Sequence, residues 1–164
     1  MTTLVRFVGI VLVTGSLAMA QTPKSAAEIL SLNFADVNRK ILDMAKDFPA
    51  DKYEFKLKPE MRSFRELIVH IASGNAFAAK AGKGEKAKWD ELDAKNYGTK
   101  ALVVALMEKS IADSTAAIKV NPTGPSKNLD PFLSVMEHSA EHYGLLVAYY
   151  RANGLVPPES RPKK

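Results

Sequence analysis

The sequence predicts an all-α protein, a four-helix bundle with long inter-helix connections, and three observations carry that expectation. Four stretches repeat apolar residues at the 3.6-residue helical period. Their boundaries carry capping residues, prolines or a terminal Asn-Gly. No part of the chain shows the succession of short alternating runs that a sheet requires. Amphipathic helices joined by polar loops bury their apolar stripes by packing on one another. The 164 residues, 46% hydrophobic and 25% charged, suit one globular domain with its own core.

The first twenty residues stand outside that plan. Met1–Arg6 carries one positive charge, Phe7–Leu17 is an uncharged apolar run, and Ala18-Met19-Ala20 gives the small-x-small pattern that signal peptidase reads. The apolar run is too short for a comfortable membrane span. Residues 1–20 are therefore read as a signal peptide and residues 21–164 as the mature domain. That makes the protein exported, periplasmic or secreted, with no stable membrane span once the signal is cut. The alternative is an uncleaved anchor. Removing the segment takes one arginine from a formal net charge of +5. The absence of cysteine excludes disulfides, thiolate ligands and a cysteine nucleophile.

The first mature helix is expected from Ser25 to about Asp47. Ser25 and Glu28 have capping-box spacing, and Ile29, Leu30, Phe34, Val37, Ile41, Leu42 and Ala45 form the apolar stripe. Phe48-Pro49 ends it. Across 49–62, Tyr53, Phe55 and Leu57 alternate with charged residues, as in a short extended segment laid over a bundle.

Ser63 and Glu66 repeat the capping-box spacing and open a second helix to about Lys80. Its stripe is Phe64, Leu67, Ile68 and Ile71, with His70 inside it. Residues 81–98 form a polar loop, rich in Gly and Lys, that holds the single tryptophan, Trp89, read as a packing anchor. A turn of helix is expected within 88–92. Thr99 caps the third helix, to about Val120, with Leu102, Val103, Leu106, Met107, Ile111 and Ile118 inward. Asn121-Pro-Thr-Gly-Pro stops it. Asp130-Pro131 reads as N-cap and first helical residue of the last helix. That helix runs through Phe132, Leu133, Val135, Met136, Tyr143, Leu146, Val147 and Tyr150 to a left-handed cap at Asn153-Gly154. Residues 155–164 form an extended tail.

The chain has three histidines. His138 and His142 are four residues apart, so they share one helix face about 6 Å apart. They lie in line with Val135, Leu145 and Tyr149, so their stripe faces partly inward. His70 borders the buried stripe of the second helix. If those helices are neighbours, three imidazoles converge on one point. Three neutral nitrogens with an open fourth position suit Zn²⁺, and also hold Ni²⁺, Fe²⁺ or Mn²⁺. The spacing alone also fits a solvent-exposed pair or hydrogen-bonded core histidines. Glu66, Glu137 and Glu141 sit near the histidines in sequence, either as carboxylates that orient an imidazole or as solvated surface groups. The metalloprotease HExxH pattern is absent. Lysines 80, 83, 86 and 88 are not interleaved with aromatics, so no nucleic-acid platform is expected.

Met61-Arg-Ser-Phe-Arg-Glu-Leu-Ile-Val-His70, followed far downstream by His138-Ser-Ala-Glu-His142-Tyr-Gly, resembles the DinB-like superfamily (DinB/YfiT-type metalloenzymes). The tail Tyr149-Tyr-Arg-Ala-Asn-Gly154-Leu-Val-Pro157-Pro looks like that of its exported members. The resemblance covers essentially the whole mature chain. It implies a four-helix bundle with a long connection, a homodimer, and a divalent metal held by His70, His138 and His142. It also implies a metal-dependent enzyme acting on a small-molecule or thiol substrate, by transferase or hydrolase chemistry, since some relatives use low-molecular-weight thiols. The alternative is a non-catalytic metal-binding or stress-associated helical bundle. Catalytic residues beyond the histidines are not assigned.

Overall fold

A computed structural model of the protein describes residues 24–120 and 129–162. The expected signal segment, the Asn121–Pro125 stop and the last two lysines lie outside the described residues. Four helices form the body: α1 (Ala26–Asp47), α2 (Phe64–Gly82), α3 (Lys100–Val120) and α4 (Asp130–Ala152). Among the described residues there are no strands beyond one isolated bridge between Lys56 and Ser63.

Local chemistry sets most helix boundaries. Ser25 and Ser63 each close a full capping box, with Glu28 and Glu66 returning a bond to the cap backbone. Thr99 Oγ1 accepts from Leu102 N at 3.3 Å. Gly154 takes φ +70 after α4, a conformation that costs a glycine little. The expected Asp130 cap is corrected. Asp130 is the first helical residue, and the cap position belongs to Leu129, which offers no side-chain acceptor.

The order of the helices around the bundle follows from who packs on whom. α1 packs against α3 and α4, and α2 against α3 and α4, leaving α1/α2 and α3/α4 as the diagonals. Directions follow from aromatic pairs. Phe34 meets Phe132 edge-on near the starts of α1 and α4, and Phe48 meets Tyr150 just past the end of α1 and near the end of α4. Those two helices are parallel. Phe64, at the start of α2, stacks on Phe48 at 3.9 Å, so α2 runs the other way. Lys100, at the start of α3, donates to Phe48 O at 2.8 Å, so α3 runs parallel to α2. Parallel neighbours need a connection that returns the length of the bundle. Residues 83–99 make that return, and this crossover passes over the face where α2 meets α4.

The core has two apolar clusters. One end holds Phe48, Tyr53, Phe64, Tyr149 and Tyr150 with Ile41, Leu67, Ile71 and Met107. Each such side chain is worth roughly 1.5–3 kcal/mol of transfer free energy. The phenols find acceptors: Tyr150 donates to Met44 O at 2.8 Å, and Tyr53 donates to Ala45 O. The other end holds Phe34, Ala78, Ile118, Phe132 and Val135. A buried polar layer also crosses the bundle, in which Asn75 Nδ2 donates to Asn38 Oδ1 at 2.7 Å and to Ser110 Oγ at 3.4 Å.

Three positions expected inside are exposed: Ile29, Leu102 and Leu133. Each sits in the first turn of its helix, where neighbours give the least cover. The 49–62 segment does lie on the bundle. It buries Tyr53 and bonds to the start of α2 through Phe64 N to Phe55 O and Arg65 N to Tyr53 O. The tail contains a short 3₁₀ turn, Pro158–Ser160, and is tied to α1 by Arg161–Asp47 and Arg39–Glu159 pairs.

Candidate metal centre

His70 projects from α2, and His138 and His142 from α4, into the seam beneath the crossover. Their ligand atoms all lie within 4.8 Å of one another. His138 Nε2 stands 2.9 Å from His70 Nε2 and 3.0 Å from His142 Nε2. A neutral imidazole nitrogen offers either one N–H or one lone pair. His138 Nε2 faces two nitrogens at hydrogen-bonding distance, so no placement of protons satisfies both contacts. A cation accepting all three lone pairs does satisfy them. Nitrogens about 2.0–2.1 Å from a tetrahedral zinc stand about 3.3 Å apart, close to the present spacing. The donor set therefore fits a divalent ion.

All three rings are half-buried, and burial depresses their basicity. Desolvation holds His138 down at about 4, with the neighbouring His142 and His70 adding to it. Desolvation lowers His70, followed by the Arg62 charge, and Glu91 opposes both. His142 is lowered by burial and then by His70. At neutral pH the triad is uncharged and its lone pairs are free, which is the state that binds metal.

The crossover covers the triad. Trp89 lies with its ring centroid 5.1 Å from that of His138 and 6.0 Å from that of His70, against Phe77. Gly74 makes room for it, since a Cβ there would come within 2.8 Å of Trp89 Cη2. Leu92 N donates to Ser73 Oγ at 3.0 Å, and Arg65 donates to Ala94 O. The expected helical turn within 88–92 is absent. Those residues form no regular secondary structure, and the turn is a 3₁₀ segment at Ala94–Tyr97, where Asp93 caps Lys95 N. Trp89 anchors the loop as expected, and does so on the histidines.

The carboxylate near His70 is not Glu66. Glu66 is committed to the Ser63 backbone at 2.6 Å and to Lys56 at 3.4 Å. Glu91, from the crossover, stands 3.2 Å from His70 Nδ1. The two atoms do not form a hydrogen bond in this arrangement. Glu137 and Glu141 face solvent. Sequence spacing could not find Glu91, which is twenty-one positions from His70 in a polar loop without periodicity. Its one legible signal was its place two residues after the only tryptophan.

Beside the triad opens a cavity of about 780 Å³, lined by His142, Arg62, Leu67, Glu91, Leu145 and Tyr149 among others. His142 is the histidine it reaches. Tyr149 lines this cavity while its hydroxyl donates to Arg62 O.

Comparison with known families agrees with this architecture. The family model described as the DinB superfamily matches residues 33–146, from within α1 through both histidines of α4. A search of curated proteins returned no match. The match spans well over half of the chain, with the helix order and the histidine positions inside it, and the chain belongs to the DinB superfamily.

Proposed function

We propose that this protein is a metal-dependent enzyme that holds one divalent ion through Nε2 of His70, His138 and His142. The observation that carries the reading is the convergence of three neutral imidazole nitrogens whose contacts protons cannot satisfy. The ion would supply positive charge to polarise a substrate or to favour the anion of a thiol or water. The chain's own residues supply the rest. α2 and α4 fix the rings from two rigid elements, Trp89 excludes water from one side of His138, and the adjoining cavity gives a small molecule access beside His142. That access favours transfer or hydrolysis of a small substrate over a purely structural ion. Zn²⁺, Ni²⁺, Fe²⁺ and Mn²⁺ all suit the donor set.

The mature chain acts outside the cytoplasm after cleavage behind Ala20, as a homodimer, on a small-molecule or thiol substrate. The export reading rests on the 1–20 pattern alone, and the dimer on what the resemblance of the histidine motifs implies. No helix among the described residues is long and apolar enough to cross a membrane.

Elemental analysis of protein purified without a histidine tag tests the metal. About one equivalent is expected, lost in His142→Ala, and less than about 0.1 equivalent after reloading sinks the reading. N-terminal sequencing of exported protein should begin at Gln21, and sedimentation should give twice the chain mass.

A further inference from the structure

We infer that Glu91 is the positioning residue of the metal centre: held by Arg62, it sets the ring orientation and tautomer of His70 from the crossover. The inference rests on the metal reading above. His70 Nε2 is turned to the triad, so in the ligating tautomer its proton sits on Nδ1. That atom is buried and lacks a formed hydrogen bond, and Glu91 Oε1 stands 3.2 Å from it. A small ring rotation converts this approach into an N–H···O⁻ bond.

Glu91 is not free to wander, although its side chain is 42% exposed. Arg62 grips it with Nε at 3.3 Å and Nη2 at 3.2 Å from Oε1, and with Nη2 at 3.1 Å from Oε2. Arg62 is fixed in turn, because its carbonyl accepts from Tyr149 of α4. A continuous chain, Tyr149 to Arg62 to Glu91 to His70, thus links α4, the entry to α2, the crossover and a ligand. Among the described residues, His70 is the ring with a carboxylate within 4 Å of a ring nitrogen, whereas the buried Nδ1 of His138 has no such neighbour. The charge also has a purpose, since an anion beside one imidazole raises its donor strength toward a cation.

The test compares Zn²⁺ and Co²⁺ affinity, by competition with a chromophoric chelator, in wild type, Glu91→Ala, Glu91→Gln and Asp90→Ala. Asp90 is an exposed neighbour, so its variant removes one loop charge without touching His70. The expected result is metal binding weakened about 10–100-fold in Glu91→Ala, by less in Glu91→Gln, which keeps an acceptor, and within twofold of wild type in Asp90→Ala. The visible spectrum of the Co²⁺ form should shift in Glu91→Ala, while the unfolding midpoint of the metal-free protein stays near wild type. Equal affinities in wild type and Glu91→Ala overturn the inference and leave the metal reading standing, as does equal weakening by Asp90→Ala. A wild type that binds neither metal overturns both.

Discussion

Replacing Gly74 with alanine pits two effects against each other, and the structure says which wins. In a helix interior, alanine is favoured over glycine by about 1 kcal/mol. Against that, the new Cβ would lie 2.8 Å from Trp89 Cη2, with Trp89 Cζ3 and Val135 Cγ1 at 3.4 Å. The Val135 contact is ordinary, but the tryptophan must retreat by roughly half an ångström or more, and overfilling a packed site costs about 1–3 kcal/mol. The ring has Phe77 and His138 against it, so retreat disturbs its contacts. The net expectation is a loss of about 1 kcal/mol, which lowers Tm by about 2–4 °C in a chain of this size. Trp89 is the only tryptophan, so its emission reports the displacement directly and should move to the red. The decisive comparison is the double-mutant cycle with Trp89→Leu. There the obstruction is gone, and Gly74→Ala should turn stabilising by up to about 1 kcal/mol. Equal destabilisation in both backgrounds, or stabilisation of wild type with unchanged emission, would refute the packing argument.

Gly82→Ala should behave differently, because its Cβ would fall well inside van der Waals contact of Phe132 Cζ and Cε2, and that ring is fully buried beside Phe34. A loss of about 2 kcal/mol or more in urea unfolding is expected, with metal affinity of the folded protein unchanged. The metal-free protein should also lose stability as pH falls from about 6.5 toward 4. His138 has a folded value of about 4 against an ordinary 6.5, so the unfolded chain takes up the proton first and is favoured across that window. Urea midpoints measured in chelator from pH 7 to 4 should show this slope, and His138→Asn should reduce it, with His70 and His142, also lowered by burial, supplying what is left. Asp47→Asn should release the tail, because Asp47 holds Arg161 with contacts of 2.8 and 2.6 Å and also accepts from Tyr150. Proteolysis at the C-terminus should quicken while the helical circular dichroism stays the same.

What could be read in the sequence was what depends on neighbours along the chain. The Ser25/Glu28 and Ser63/Glu66 boxes and the Gly154 cap are local hydrogen-bonding choices, and each formed as its spacing predicts. His138 and His142 were legible as a pair because four residues on a helix define a face. His70 joined them because its stripe had to turn inward. Features made by the chain's return on itself were not legible. Nothing in the composition of 83–99 says that it runs back over the α2/α4 seam, since that path follows from α2 and α3 being parallel. Glu91, Arg62 and the Asn38–Asn75–Ser110 layer meet only in the folded bundle. Glu66 lay one turn from His70 in sequence, but its cap and Lys56 had claimed it. The outward Ile29, Leu102 and Leu133 show the limit of periodicity, which gives the direction of a stripe without saying how far the neighbouring helix extends to cover it.

The central claim is that Nε2 of His70, His138 and His142 share one ion. Anomalous diffraction from crystals of untagged, metal-reconstituted protein, collected on both sides of the metal's absorption edge, addresses it without reference to any substrate. The account predicts one strong peak in the seam under Trp89, about 2.0–2.2 Å from each of the three Nε2 atoms. A peak held by other side chains, or no peak among the three histidines in fully reconstituted crystals, would contradict it.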